Sequence, residues 1–284
     1  MIVDVHTHIL PRSFKGRMDE LAARDATFLA LFAKADPRKA MATAPELVRA
    51  MDEDGVDVAV ALGYGWCDPD IAHEANDYLL DAAERFKGRI IPFCSVHPGW
   101  GEAALREVEH CVAGGARGIG ELHPASQGFS LAKDRRLGPL MRYAATHDLP
   151  VVVHGSEPVG HAYPGKGDTG PATLLAAAER FPRVRFIFAH WGGGLPFYAL
   201  MPEVRRALEN TWFDSAATPF LYEPGVFAAV ARTAGPERVL FGSDFPLLRP
   251  KRVAAQALGA LSPKQAAAAL GGNAGTLLGL QPRD

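Results

Sequence analysis

The stretch Ile2-Val-Asp-Val-His-Thr-His8 sets the pattern from which the fold of this chain is inferred. It is a short apolar run that ends in two imidazoles, and side chains two positions apart on a strand point to the same face. Four more residues able to bind a metal stand at or just past the ends of later apolar runs, at Glu121, His154, His190 and Asp244. We interpret the chain as repeated strand–helix units whose strand ends meet at one place.

Hydrophobic periodicity predicts strands that alternate with helices along the chain. The predicted strands cover residues 2–6, 57–62, 90–96, 115–122, 150–154, 184–190, 211–215 and 238–242. The predicted helices cover residues 44–54, 69–86, 102–113, 137–148, 171–181, 196–209 and 223–234. Eight strands in alternation with helices are typical of the α/β class and predict a (β/α)8 TIM barrel.

Length and composition agree with this interpretation. The chain has 284 residues, of which 48% are hydrophobic and 22% charged, so it can bury a large core. We expect residues 1–284 to form a single barrel domain. Two additions are visible: an insertion after the first strand, residues 9–44, expected as a lid on the active-site face, and a C-terminal helical extension from Ser262, expected to break at Gly271-Gly-Asn273.

Charge and cysteine content narrow the class of protein. The net charge of -2 gives no electrostatic footprint for nucleic acid or for an anionic membrane, and no apolar stretch of about 18 residues occurs. Cys67, Cys94 and Cys111 have neither paired spacing nor an even count, which favours a reducing cytoplasm over a disulfide framework. We expect a cytoplasmic protein that acts on a small molecule, without nucleic-acid or membrane partners. The oligomeric state stays open, a homo-oligomer included.

The six polar residues at the strand ends predict a metal site. His6 and His8 can reach one ion together, and Asp244 would face them because the eighth strand of a barrel lies beside the first. Asp244 has an alternative interpretation as a helix N-cap. Glu121 could bridge two metals, support a ligand or act as a general acid.

Four motifs resemble the amidohydrolase superfamily, in its amidohydrolase-related branch. They are Asp4-Val-His-Thr-His8, the fifth-strand His154, Ala189-His-Trp-Gly-Gly193 and Leu240-Phe-Gly-Ser-Asp-Phe-Pro246. This branch contains metal-dependent hydrolases and relatives of aminocarboxymuconate semialdehyde decarboxylase and resorcylate decarboxylase. The motifs run from the first strand to the eighth, so the resemblance covers the whole barrel.

The resemblance implies that His6, His8, His154 and Asp244 hold a divalent metal, usually zinc, with one or two ions and with manganese as another occupant. It implies that His190 binds a second metal or acts in catalysis. Hydrolases resembling the TatD type place a glutamate where Glu121 stands, in an Ile-Gly-Glu sequence, and this favours hydrolysis.

The function predicted is therefore a metal-dependent hydrolase in which a metal-activated water attacks a lactone, ester or amide, with Asp244, His190 and Glu121 as catalytic residues. The alternative is a metal-dependent, non-oxidative decarboxylase of an unsaturated or aromatic carboxylic acid. A third hypothesis, a metal-binding barrel without catalysis, is disfavoured because open His/carboxylate coordination is typical of catalytic sites.

Several loop residues on the same face are candidates for substrate contact. The predicted substrate-binding residues are Tyr64, Trp66, His97, His123, Tyr163 and Trp191. Charged partners for a substrate carboxylate would be Arg12, Lys166 or Arg249. Aromatic groups near a metal favour a compact, cyclic organic substrate.

Overall fold

The structure is a computed structural model in which residues 1–281 are described. Parallel strands follow one another in chain order around its core. They are β1 Val3–His8, β2 Val58–Leu62, β3 Ile90–Phe93, β4 Ile119–Leu122, β5 Val151–Val153, β6 Phe186–Phe188, β7 Thr211–Asp214 and β8 Val239–Leu240. Side chains of these strands are almost all buried, as expected for a parallel sheet covered by helices.

The strands form two hydrogen-bonded runs, β1 to β3 and β4 to β8, and backbone contacts join the runs at both seams. At one seam, the amide of Cys94 donates to the carbonyl of Gly118 at 3.0 Å. At the other, the amide of His8 donates to the carbonyl of Phe245 at 2.7 Å, and Thr7 forms a parallel bridge with Phe245. These contacts confirm the predicted (β/α)8 barrel.

Helices surround the barrel and connect its strands. The α-helices are α1 Met18–Arg24, α2 Ala26–Phe32, α3 Pro37–Ala40, α4 Ala44–Asp54, α5 Pro69–Arg85, α6 Glu102–Ala113, α7 Pro124–Gln127, α8 Leu137–Thr146, α9 Pro171–Arg180, α10 Pro202–Ala207, α11 Thr218–Leu221, α12 Val226–Thr233, α13 Pro250–Ala260, α14 Pro263–Ala267 and α15 Asn273–Leu278. Turns of 3-10 helix cover Arg12–Gly16, Pro98–Trp100, His190–Leu200 and Pro236–Arg238. Within residues 1–281, no helix has the length and apolar character needed to cross a membrane.

The best predicted helices carry explicit start and stop signals. α4 begins with a capping box between Thr43 and Glu46 and ends at Asp54, followed by the capping residue Gly55, whose φ of 74° suits glycine. α5 begins at Pro69, and the Asp68 carboxylate accepts hydrogen bonds from the first free amides of that helix. These local signals explain why α4 matches its prediction at both ends.

The insertion after β1 folds into α1, α2 and α3 and has an aromatic core of its own. Phe14, Phe28 and Phe32 pack around the fully buried Trp66, with Phe28 and Trp66 stacked at 5.8 Å. The Asp25 carboxylate caps α2 and also accepts from the amides of Cys67 and Asp68 at 2.6 and 2.8 Å. The insertion is therefore fastened to the loop that follows β2.

The C-terminal extension differs from its prediction. Residues 268–272 form a π-helical segment that joins α14 to α15, so the glycines do not break the helix. A side chain on Gly271 would collide with the backbone carbonyl of Met1 at the start of β1. The prediction of a break was wrong because this glycine permits close packing of the helix against β1 instead.

Candidate metal centre

His6 and His8 face each other at the carboxyl end of β1. Their Nε2 atoms lie 3.1 Å apart, and both rings are buried. The outer nitrogen of His6 donates to the carboxylate of Asp214 at 2.9 Å, and the outer nitrogen of His8 donates to the carbonyl of Leu62 at 3.2 Å. Because those acceptors take the Nδ1 protons, a lone pair on each Nε2 points inward, and a proton or a metal cation must lie between them.

Asp244 completes this group from the loop after β8. Its Oδ1 lies 3.7 Å from Nε2 of His6 and 3.6 Å from Nε2 of His8. The residue has a φ of 67°, and its amide donates to the carbonyl of His6 at 2.9 Å. A left-handed backbone is costly for a residue with a side chain, so this conformation is imposed by the surrounding structure and aims the carboxylate at the two imidazoles.

Glu121, at the end of β4, lies between both sides of the cluster. Its Oε1 accepts from Nδ1 of His154 at 3.0 Å, and its Oε2 lies 3.6 and 3.7 Å from Nε2 of His6 and His8. Nε2 of His154 is buried and has no hydrogen-bond partner among residues 1–281. The Glu121 contact fixes the ring so that this unpartnered nitrogen remains available to a cation.

His190 is presented by an unusual turn after β6. The residues from His190 to Gly194 all have positive φ, between 53° and 95°. A side chain on Gly193 would collide with the carbonyl of Ser156, which explains a glycine at that point. Nδ1 of His190 donates to the carbonyl of Ala216 at 3.1 Å, and Nε2 lies 3.7 Å from Glu121 Oε1. The helix predicted for residues 196–209 is reduced to α10, because the 3-10 turn continues to Leu200 and Met201 is extended.

The carboxylates of the site stabilise positive charge on the groups between them. Burial lowers the pKa of His6, but Asp214 and Glu121 overcome this and raise it to about 10. Burial likewise lowers the pKa of His190, while Glu121 and Asp244 raise it to about 9. Burial and the neighbouring His6 lower the pKa of His8 to about 4. Burial raises the pKa of Glu121, yet the surrounding imidazoles hold it well below its usual value.

These observations fit a divalent metal. Ligand atoms of His6, His8 and Asp244 all lie within 4.8 Å of one another, and so do those of His6, Glu121 and His190. Imidazole nitrogens and carboxylate oxygens suit zinc and manganese alike. The buried, unpartnered nitrogen of His154 adds a further donor on the same floor.

The sequence interpretation did not single out Asp214. This buried carboxylate ends β7 and accepts hydrogen bonds from the His6 ring at 2.9 Å and from the His190 amide at 3.1 Å. Burial raises the pKa of Asp214, but His6 brings it below its usual value. The signal was present, since Thr211-Trp-Phe-Asp214 ends an apolar run with a carboxylate, as the ligand strands do.

A cavity of about 450 Å³ opens above the cluster. Its polar floor and lower wall include the predicted contacts Tyr64, His123 and Tyr163. Tyr64 stacks on His8 with ring centroids 4.0 Å apart. His123 stacks on His154 at 4.0 Å, and both of its ring nitrogens are buried without a partner in the described chain. Burial holds the pKa of His123 well below its usual value.

Three other predicted contacts do not line this cavity. Trp66 is enclosed by the aromatic core of the insertion. His97 is held by the carbonyl of Gln127 at 2.7 Å, and Trp191 donates to the hydroxyl of Thr218 at 2.9 Å. The structure does not bring these three rings to the cavity, because each is engaged by packing or by a hydrogen bond elsewhere.

The expected carboxylate partners are also absent from the lining. Arg249 bonds to Glu53 and Asp54, and the amine of Lys166 donates to backbone carbonyls at Val159 and His161. Arg12 is exposed and does not line the cavity.

Comparison with known proteins gives matches along almost the whole chain. A family model described as Amidohydrolase matches residues 3–280. The chain is 23% identical to 2-amino-3-carboxymuconate-6-semialdehyde decarboxylase of Dictyostelium discoideum, over 99% of this chain and 92% of that protein.

Solved structures agree in fold. The 5-carboxyvanillate decarboxylase of Sphingomonas paucimobilis has a TM-score of 0.81 at 14% identity, with 99% of each chain covered. A dihydroxybenzoic acid decarboxylase of Polaromonas sp. JS666, with bound manganese and 2-nitroresorcinol, has a TM-score of 0.77 at 19% identity, over 99% of this chain and 98% of that one. The prediction of a hydrolase was wrong, because these relatives are decarboxylases and match the alternative.

Proposed function

Since this chain belongs to the amidohydrolase family and is an enzyme of that superfamily, we propose that it is a metal-dependent, non-oxidative decarboxylase of an aromatic or unsaturated carboxylic acid. The observation that carries the proposal is the cavity floor. There, inward-facing donors for a divalent cation and the buried imidazole of His190 reach one space from different strands. The decarboxylase names of the relatives support the reaction type.

In this proposal His6, His8, His154 and Asp244 hold one divalent ion. Zinc and manganese both suit the donors, and manganese is present in the solved dihydroxybenzoic acid decarboxylase. When bound, the ion supplies a Lewis acid that orients the substrate carboxylate and withdraws electron density from an adjacent oxygen. Asp214 and Leu62 keep the two β1 imidazoles in the tautomers that this requires.

The reaction exchanges a carboxylate for a proton at one carbon. The bond between that carbon and the carboxylate breaks, carbon dioxide leaves, and the electron pair stays on the carbon and takes up a proton. We assign delivery of the proton to Nε2 of His190, which faces Glu121 across 3.7 Å and lines the cavity. Glu121 stabilises the protonated imidazole, and the surrounding floor excludes bulk water.

His123 is assigned to the substituent beside the carboxylate. Its two unpartnered ring nitrogens are buried in the cavity wall, where an unfilled hydrogen bond is costly. A hydroxyl next to the carboxylate would satisfy one of them. Such a hydroxyl also makes the neighbouring ring carbon more basic, which the proton transfer needs.

The test is release of carbon dioxide from protein loaded with manganese or zinc. Carboxyl-labelled 2,6-dihydroxybenzoate and other hydroxybenzoates would be incubated in deuterium oxide, with labelled carbon dioxide and ring deuterium as the two readouts. We expect one deuterium at the carbon that lost the carboxylate. A His190→Gln variant with the same metal content should be slower by about 100-fold or more. No carbon dioxide from any hydroxybenzoate or unsaturated acid at full metal content would refute the proposal.

A further inference from the structure

The cavity is divided into two zones of different chemistry. Its floor is formed by the polar side chains of His8, Glu121, His123, His154, His190 and Asp244. Its outer walls are largely apolar and come from the insertion and from the loops after β7 and β8, while the loop after β5 adds the rings of His161 and Tyr163. The apolar wall includes Leu31, Phe32, Leu221 and Leu247. Nothing in the described chain places a lysine or an arginine in this lining.

Cationic groups near the cavity are engaged elsewhere. The Lys166 amine is held by two backbone carbonyls at 2.8 and 2.9 Å and lies 5.5 Å from the centre of the Tyr163 ring. Arg249 forms its hydrogen bonds with Glu53 and Asp54. Apart from the exposed His161 at the rim, the positive charge that a substrate carboxylate meets therefore comes from the floor.

The cavity is also larger than one ring requires. An apolar cavity of about 150 Å³ is enough to hold benzene. The volume here is about 450 Å³, three times as large, so the cavity can hold the ring, its carboxylate and a further group against the apolar walls. Phe32 is buried in that wall, and Leu31 is half-buried and contacts the turn at Gly165.

We propose, on the basis of the decarboxylase function above, that the substrate is an aromatic acid with a single carboxylate and a bulky apolar substituent on the opposite side of the ring. The carboxylate and its neighbouring hydroxyl lie at the floor. The apolar substituent packs against Leu31, Phe32 and Leu247. Acids with a second carboxylate at that position are excluded.

Two physical effects act in the same direction. A second carboxylate would lose water against the apolar wall without a lysine or an arginine to pair with it, and an unpaired, partly buried charge is strongly disfavoured. An apolar substituent in the same position would be favoured by removal of its surface from water. The selectivity therefore depends on the absence of lysine and arginine from the wall as much as on its apolar side chains.

The test compares three acids that share one head group. They are 2-hydroxybenzoate, 2-hydroxy-4-phenylbenzoate and 2-hydroxyterephthalate, each titrated calorimetrically into manganese-loaded protein. We expect the phenyl compound to bind at least about 10-fold more tightly than 2-hydroxybenzoate. We expect the terephthalate to bind about 100-fold more weakly than the phenyl compound.

A pair of variants tests the wall directly. Leu31→Arg should reverse the order, so that the terephthalate binds more tightly than the phenyl compound, whereas Leu31→Met should keep the wild-type order. Circular dichroism and metal content identify a variant that fails to fold, and Leu247→Arg then provides the second test. Equal or tighter binding of the terephthalate to the wild type would overturn the inference.

Binding and turnover separate this inference from the function on which it rests. The expected binding order without carbon dioxide release would support the substrate class and refute the decarboxylase. Carbon dioxide release with preference for the terephthalate would support the decarboxylase and refute the substrate class.

Discussion

Residues 1–281 carry two clusters of histidine and carboxylate side chains, and the clusters differ in where their nitrogen atoms point. The mouth cluster consists of His6, His8, Glu121, His154, His190 and Asp244 at the strand ends. The surface cluster consists of His73, Asp77, Glu107 and His110 on α5 and α6. Both bring together ligand atoms at distances that a metal could span.

In the mouth cluster, the imidazoles of His6, His8 and His190 each give one nitrogen to an acceptor outside the cluster, and His154 gives one to Glu121. The other nitrogen of each ring faces inward. In the surface cluster, Glu107 and Asp77 already contact both nitrogens of His73, at 3.0 and 3.5 Å, and Asp77 also accepts from His110 at 2.8 Å. Its histidines are about half exposed. Residue types alone therefore do not identify a metal site. Burial and free inward-facing nitrogens do.

Removal of a mouth ligand should have the largest effect. We expect His6→Ala and Asp244→Asn to lose the metal and to release no measurable carbon dioxide, while the barrel remains folded. The loss of affinity should exceed the roughly 10- to 100-fold that removal of an outer partner costs. Elemental analysis and circular dichroism of the purified variants provide the measurement. Wild-type metal content in either variant would contradict the ligand assignment.

The outer partners give a sharper test, because each cluster offers one matched aspartate. Asp214→Asn should weaken metal binding by about 10- to 100-fold, since the His6 ring loses its charged acceptor. Asp77→Asn changes the same group in the surface cluster and should leave metal affinity unchanged. Titration of the metal-free proteins with a competing chelator measures both. Equal affinities in the two variants would remove the distinction between the clusters.

Glu121→Gln tests whether the mouth holds one ion or two. With one ion, held by four other residues, metal content should remain close to one per chain. Carbon dioxide release should fall by about 100-fold, because His190 loses the carboxylate that stabilises its protonated form. Elemental analysis and turnover answer the question together. A fall from two ions to one would show that Glu121 bridges them.

His123→Phe should affect substrate preference and leave the metal in place. Phenylalanine retains a ring to stack on His154 but removes both free nitrogens. We expect the variant to lose about 10-fold in affinity for 2-hydroxybenzoate and little for benzoate, because the lost hydrogen bond involves the hydroxyl. Calorimetry on the metal-loaded variant would show it. A similar loss for both acids would argue for a purely structural ring.

The smallest effect is expected at the surface cluster. The Glu107 carboxylate raises the pKa of His73 in the folded protein. The stabilisation from this ion pair is therefore fully present below the pKa of His73 in the unfolded chain, about 6.5, and is lost as the pH rises through the pKa in the folded protein. His73→Gln should therefore destabilise the protein at pH 5.5 by at most about 1 kcal/mol and have no effect at pH 9. Urea unfolding of both proteins at the two pH values measures this. A larger loss at pH 9 would contradict the assignment.

Sequence periodicity predicted the barrel and the six strand-end residues that the structure brings together. It succeeded there because the carboxyl ends of parallel strands meet at one face, so one-dimensional order determines which residues become neighbours. The two neighbours Tyr64 and Trp66 show its limit. Both follow β2, but only Tyr64 lines the cavity, because Phe14 and Phe28 of the insertion enclose Trp66. Packing between a loop and an insertion produces no hydrophobic periodicity in the sequence, so it cannot be predicted in this way.

Local backbone conformation was the other source of error. The helix predicted for residues 196–209 is shortened because the 3-10 turn continues to Leu200 and Met201 is extended, so that α10 begins only at Pro202. The positive φ of His190 and Trp191 in this turn could not be predicted from the sequence, because neither residue is glycine. At Gly271 the error was the opposite one, because a helix break was predicted where the helix continues. Glycine often ends a helix, but here it permits close contact with Met1.

The order of the mouth residues along the chain has a consequence for biosynthesis. His6 and His8 leave the ribosome well before Asp244, which contacts them across the seam between β8 and β1. The donor set is complete only after β8 has been synthesised, so we expect the cation to bind a barrel whose strands have already assembled. Metal starvation in the cell should then leave folded enzyme without metal.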